Sequence, residues 1–320
     1  MNSIVNHTTM EHKILGLHHI TAIAGDAQRN YEFYTKVLGL RLVKKTVNFD
    51  DPGTYHFYFG DEVGSPGSIL TFFPWEGVQK GRSGTGMATE IGYSVTAGSL
   101  SFWKNRFEQL NVTHQPVSEK FGEQFIRFED PDGLVLNLIA TNGDERKGWT
   151  SGDVAENAAI KGFHSITLSL RSVTATTNIL TDVFGYKLLK KEGNLYRYVT
   201  AAIPTANIVD MVEDDQGIQG INAGGTNHHV AFRVKNEDSL MAFREKVIGA
   251  GLLITEKIDR NYFYSLYFRE PGGVLFEIAT DNPGFATDET VSELGTQLKL
   301  PVQYEKRRRE IEAVLPSLSN

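Results

Sequence analysis

At 320 residues, 40% of them hydrophobic and 11% aromatic, the chain can bury one large or two ordinary cores. A formal charge of −7 argues against a nucleic-acid partner, and the lack of cysteine excludes disulfides, thiolate nucleophiles and cysteine-held metal centres. No apolar run nears the ~18 residues of a membrane span, and the polar start Met1-Asn2-Ser3 lacks a signal-peptide pattern, so a cytoplasmic protein is expected.

In chain order, four segments open on an alternating apolar strand, continue into a helix signal and end in hairpin-like strands. The opening strands are Leu17-His18-His19-Ile20-Thr21, Thr89-Glu90-Ile91-Gly92-Tyr93, Phe163-His164-Ser165-Ile166-Thr167 and His228-His229-Val230-Ala231-Phe232. In the first module Asp26 can cap a helix with Tyr31, Tyr34, Val37 and Leu38 on one face, and Gly39 stops it. Ser99, Val173 and Asp238 precede the corresponding helices of the other three. Gly67 to Thr71, Gly133 to Asn137 and Gly273 to Glu277 align without gaps as glycine turns leading into closing strands, whereas the third module ends in Ala206 to Asp210 without that glycine.

The pattern reads βαβββ four times, an α+β fold. Residues 1–145 form an N-terminal domain of two modules, and 161–282 a C-terminal domain of two more. Between them 146–160 is the linker, within a polar stretch bearing Gly143, Gly148 and Gly152. A tail follows at 283–320, whose basic run Lys306-Arg307-Arg308-Arg309 reads as a solvated helix face and whose Tyr304 and Ile311 could cover the fold or meet a partner subunit. Homo-oligomerisation is left open.

This arrangement resembles the vicinal oxygen chelate superfamily of glyoxalase I, bleomycin-resistance proteins and extradiol dioxygenases. The resemblance implies that the modules pair into two half-barrel cups.

Strand side chains alternate between faces, so residues at one offset in every module point the same way. The second position of the opening strand holds His19, Glu90, Ser165 and His229; the end of the closing strand holds Thr71, Asn137, Asp210 and Glu277. If modules one and four share a cup, His19, His229 and Glu277 converge as two imidazoles and a carboxylate, with Thr71 unable to supply a strong fourth ligand. Two histidines and one carboxylate suit a non-haem Fe(2+) site with positions open to substrate and dioxygen, although Mn(II) or Zn(II) would also fit. His18 and His228 are the alternative pair. A lone strand histidine is usually a hydrogen-bonded core residue; two at equivalent offsets beside the Phe276-Glu277-Ile278 carboxylate favour a metal. The other cup, with Glu90, Asn137, Ser165 and Asp210, reads as structural or degenerate.

Further stretches resemble the bacterial hydroquinone-type ring-cleaving dioxygenases, among them Tyr55-His56-Phe57-Tyr58-Phe59, Gly64-Ser65-Pro66-Gly67, Arg260-Asn261-Tyr262-Phe263 and Pro271 to Glu277. That resemblance implies iron on His19, His229 and Glu277, with a small aromatic substrate and dioxygen as reactants. It also implies that Thr21 and Arg260 bind substrate, and that His18, His228 and Tyr267 are catalytic: a histidine taking the phenol proton, Tyr267 or Arg260 stabilising charge on oxygen. Blander roles are a strand aromatic for Tyr267, an ion pair to Asp259 or Glu256 for Arg260, a β-former for Thr21, and core histidines for His56 and His164. The competing functions are a glyoxalase-type isomerase or lyase, which needs a fourth ligand, and a metal-free small-molecule-binding protein.

Overall fold

The computed structural model describes residues 12–150 and 153–319, so Met1-Asn2-Ser3 and Gly152 lie outside the described residues. Module one comprises β1 (Leu17–Ala24), α1 (Ala27–Glu32), β2 (Arg41–Val47), β3 (Tyr55–Gly60) and β4 (Ile69–Pro74). Module two comprises β5 (Met87–Thr96), α2 (Leu100–Gln109), β6 (Ser118–Lys120), β7 (Glu123–Glu129) and β8 (Val135–Thr141). Module three follows with β9 (Gly162–Leu170), α3 (Thr174–Asn178), β10 (Lys187–Glu192), β11 (Leu195–Val199) and β12 (Ile208–Glu213). Module four has β13 (Thr226–Val234), α4 (Glu237–Gly249), β14 (Ile258–Asp259), β15 (Phe263–Arg269) and β16 (Leu275–Pro283).

Local chemistry accounts for the module boundaries. The Asp26 side chain accepts the Arg29 N–H at the start of α1, and Gly39 turns the chain at φ +69°. In module four the cap is Asn236, which accepts the Ser239 N–H; Asp238 lies inside the first turn, where its charge complements the helix dipole. Four residues before Thr71, Asn137, Asp210 and Glu277, every module turns through a left-handed residue: Gly67, Gly133, Ala206 and Gly273. Ala206 takes the position at φ +51° without being glycine, at a cost of about 1 kcal/mol, and this is why the third module's turn is invisible in the sequence.

The strands form two curled eight-stranded sheets, in the orders β14-β15-β16-β13-β1-β4-β3-β2 and β10-β11-β12-β9-β5-β8-β7-β6. Modules one and four thus build one half-barrel, and modules two and three the other. Each sheet draws one module from each half of the sequence. Repeat positions stay in register, with Thr21, Gly92, Thr167 and Ala231 opposite Thr71, Asn137, Asp210 and Glu277. A core including Trp103, Phe107, Leu136, Phe232 and Phe276 is packed between the helices and the sheet backs.

The segment joining the halves is packed down. Arg146 donates to the Phe163 carbonyl at 2.8 Å, and Val154, Ala158, Ala159 and Ile160 are buried. The tail lies on the first sheet. Lys44, fully buried, meets Asp288 at 2.5 Å and also Glu289, while Leu298 bridges Lys45 on the β2 edge. Tyr304 donates to the Phe49 carbonyl at 2.6 Å, pinning the loop between β2 and β3. In the basic run, Arg307 and Arg308 pair with Glu310, Glu305 and Glu312 on the tail helix.

Candidate metal centre

The concave face of the first sheet brings His19 from β1, His229 from β13 and Glu277 from β16 together. Their ligand atoms lie within 4.8 Å of one another, and among the described residues no other set of three His, Asp or Glu side chains does this. Their exposures are 2%, 6% and 0%, so the cluster is desolvated. Burial keeps His229 neutral.

Glu277 Oε2 lies 3.1 Å from His19 Nε2 and 2.8 Å from His229 Nε2, yet Glu277 Oε2 and His229 Nε2 have no hydrogen-bond partner. Buried, unpartnered acceptors converging on one point are costly in a bare protein and are what a divalent cation satisfies. The donor set fits such a metal.

Hydrogen bonds behind the ligands fix their tautomers. The Thr280 carbonyl can only accept, so His18 Nε2 carries its proton toward it at 3.0 Å. Neutral His18 then accepts at Nδ1 from His19 Nδ1–H at 2.9 Å, leaving the His19 Nε2 lone pair for a metal. His229 Nδ1 lies 2.8 Å from His228 Nδ1, and a metal on His229 Nε2 would leave the His229 proton on Nδ1, donated to His228. The remaining Glu277 oxygen accepts the Ser265 hydroxyl from β15.

Beside the cluster is a cavity of about 390 Å³, whose walls include His19, Thr21, His56, Tyr58, Phe73, Trp75, His228, His229, Arg260, Phe263 and Tyr267, with residues 48–51 at its mouth. A larger cavity of about 1130 Å³ shares His228, His229, Trp75 and Leu275 with it and offers an approach. Arg260 forms no ion pair with Asp259 or Glu256. Its Nε donates to the Tyr267 hydroxyl at 3.2 Å, and Glu256 pairs with Arg244. Burial raises the Tyr267 phenol, so it stays protonated with its O–H free to point elsewhere.

Thr21, Arg260, Tyr267 and His228 therefore share the cavity with the cluster, but His18 does not. Its ring lies behind His19, against Phe263 at 5.1 Å between ring centroids, and borders a separate cavity with Gly64, Pro66 and Phe285. Its place corrects the expectation of a group at the substrate; the alternative of orienting His19 fits. His56, expected as a core histidine, lines the cavity instead. Tyr58, Phe73 and Trp75 were missed. Tyr58 and His56 were findable from the repeat, because β3 aligns them with Tyr267 and Ser265.

The second sheet carries no such cluster. Arg197 clasps Asp210 at 2.7 and 2.9 Å, with Lys120 also on Asp210 at 3.1 Å. Glu90 is held by Arg127 and by the Asn137 amide, and His164 by Glu123 at 2.9 Å.

Fold and site together define a metal-site half-barrel protein built from paired βαβββ modules. The glyoxalase/bleomycin resistance protein/dioxygenase superfamily model matches residues 16–138 and 162–278, and the chain belongs to that superfamily. It is 46% identical over 303 residues to the Bacillus subtilis (strain 168) protein named "Putative ring-cleaving dioxygenase MhqO", covering 95% of this chain and 96% of the relative. It is 35% identical over 306 residues to the chlorohydroquinone/hydroquinone 1,2-dioxygenase of Sphingobium indicum, covering 93% and 95%. The crystal structure of a "putative dioxygenase" from Bacillus subtilis subsp. subtilis str. 168 superposes with a TM-score of 0.93 at 44% identity, covering 97% of this chain and 99% of that one. No helix among the described residues is long and apolar enough to cross a membrane.

Proposed function

We propose that this chain is an iron-dependent dioxygenase of the extradiol type that opens the ring of hydroquinone or a substituted hydroquinone. The observation that carries the reading is the unpartnered His229 Nε2 and Glu277 Oε2, converging with His19 where His19 and His229 wall an aromatic-lined cavity. The near full-length relatives named as ring-cleaving dioxygenases support the same chemistry. Fe(II) bound there would pass electrons between a coordinated phenolate oxygen and dioxygen.

His19, His229 and Glu277 hold the metal. His18 and Ser265 are positioning residues for His19 and Glu277. His228 fixes the His229 ring, and with a metal on His229 Nε2 its Nδ1 would be the acceptor in that contact, so that neutral His228 would present Nε2–H to the cavity. In that tautomer it would act as a donor to a substrate oxygen. The Tyr267 O–H and the Arg260 guanidinium add donors for negative charge developing on oxygen, and Phe73, Trp75 and Phe263 exclude water around the ring. Thr21 binds a ring hydroxyl. Thr71, taken up by Thr21 and His56, is no fourth ligand, which disfavours the glyoxalase-type alternative.

Anaerobically Fe(II)-loaded protein is expected to consume oxygen with hydroquinone and yield a ring-opened acid, while the Zn(II)-loaded protein does not. No oxygen uptake across hydroquinones and catechols despite bound iron overturns the reading.

A further inference from the structure

A hydroxyl bound at this metal must give up its proton, and the cavity offers few lone pairs to receive it. His18 and His228 commit theirs to neighbouring rings, Arg260 and protonated Tyr267 are donors, and Asp50 and Asp51 sit exposed at the mouth. What remains is a row across three adjacent strands. Thr21 Oγ1 lies 3.0 Å from Thr71 Oγ1, Thr71 Oγ1 2.9 Å from His56 Nε2, and His56 Nδ1 3.0 Å from the Tyr58 hydroxyl. Three of its members, Thr21, His56 and Tyr58, line the cavity.

We propose that Thr21, Thr71, His56 and Tyr58 form a proton relay along the cavity wall, which takes a hydroxyl proton from a bound aromatic diol at Thr21 and releases one at Tyr58. The inference rests on the proposed diol substrate. Each link joins groups that both donate and accept, so the row has two opposite polarities of equal connectivity. In the receiving polarity Thr21 donates to Thr71, Thr71 to His56 Nε2, and His56 Nδ1–H to Tyr58, whose own proton faces the cavity. Uptake at Thr21 moves each proton one place along: Thr21 to Thr71, Thr71 to Nε2, Nδ1 to Tyr58, and the Tyr58 proton to a basic ligand oxygen or water. One proton enters and one leaves. Every group ends neutral, and His56 has exchanged tautomers.

The repeat supports the assignment. Ser265, at the offset of His56, steers Glu277 in module four as His56 engages Thr71 in module one. Phe125 and Leu195 hold that offset in the second sheet and can relay nothing. Only module one has an unbroken row of neutral donor–acceptor groups from its opening strand to β3.

The test combines two measurements. In Zn(II)-loaded protein with ¹⁵N-labelled histidine, anaerobic hydroquinone should move the His56 proton from Nδ1 to Nε2; an unchanged tautomer overturns the relay. His56→Gln keeps one donor and one acceptor but cannot exchange protons between them, so kcat should fall about a hundredfold with KM nearly unchanged. A kcat within about threefold of the parent also overturns it. Should the Fe(II)-loaded parent cleave no diol, the substrate reading fails alone, and the tautomer measurement still decides the relay.

Discussion

The two half-barrels are built to one plan and resolve the same electrostatic problem in opposite ways. Where the first sheet sets His19 and His229 beside Glu277, the second sets Ser165 and Glu90 beside Asp210 and Asn137. Where the first has Tyr58 and Tyr267 on the strand next to the closing one, the second has Arg127 and Arg197. In the second cup the protein's own cations neutralise the buried carboxylates. In the first, among the described residues, no arginine or lysine forms an ion pair with Glu277, whose carboxylate faces two imidazoles while Arg260 acts on it only at longer range. A carboxylate already clasped by a cation has no need of a metal, and one that meets only imidazoles has a place for it.

The largest effect that bears on this contrast is expected at Glu277. Glu277→Gln should lower metal affinity by more than a hundredfold, read by metal analysis after dialysis, whereas Asp210→Asn should leave metal content unchanged. In the metal-free protein the Gln variant should be as stable as the parent or more so, since the buried charge it removes has no cation to pair with. Equal metal retention by both variants would break the comparison. Next is Arg197→Met, which strands Asp210 at 0% exposure with only Lys120 beside it; a loss of about 3 kcal/mol or more in urea denaturation is expected, with metal binding intact.

A smaller effect is expected at Ser265, whose hydroxyl holds the second Glu277 oxygen. Ser265→Ala should weaken metal binding by about ten- to a hundredfold, seen in a chelator competition, without loss of fold. The smallest is a pH slope. His18, His56, His228 and His229 are all held below the ordinary histidine range by burial, His228 down to about 3. Below pH ~6.5 the unfolded chain takes protons that the folded one refuses, so metal-free stability falls as pH drops from there toward 3. His228 alone contributes about 1.4 kcal/mol per pH unit within that window. A flat profile between pH 6.5 and 5 would show that these rings are not buried neutral.

The convergence of His19, His229 and Glu277 was legible because, once modules one and four share a sheet, it depends only on offset and strand parity, which a repeat preserves even when residue types diverge. Offset and parity do not say which modules share a sheet; the pairing of modules one and four entered only as a condition, and the strand order supplies it. The offsets stopped short of the β3 and β15 strands, where Tyr58 and Tyr267 occupy one row, because only the opening and closing strands had been aligned. Parity separates His18 from His19 but does not say that one backs the other; that took the Thr280 carbonyl, which no pattern near residue 18 announces. The mouth of the cavity was beyond reach for a different reason. The loop at 48–51 is held by Tyr304 from the tail, a contact outside the repeat.

The nesting of the modules also sets an order of assembly on the ribosome. Modules two and three are neighbours in the chain and can close their sheet on each other, but Leu17 must wait for its partner Phe232 to be made. At ~5–20 residues per second that delay is on the order of ten to forty seconds, during which the β1 edge carrying His19 is unpaired. The half that carries the candidate metal site is thus the last to close, on a companion sheet whose modules are already made.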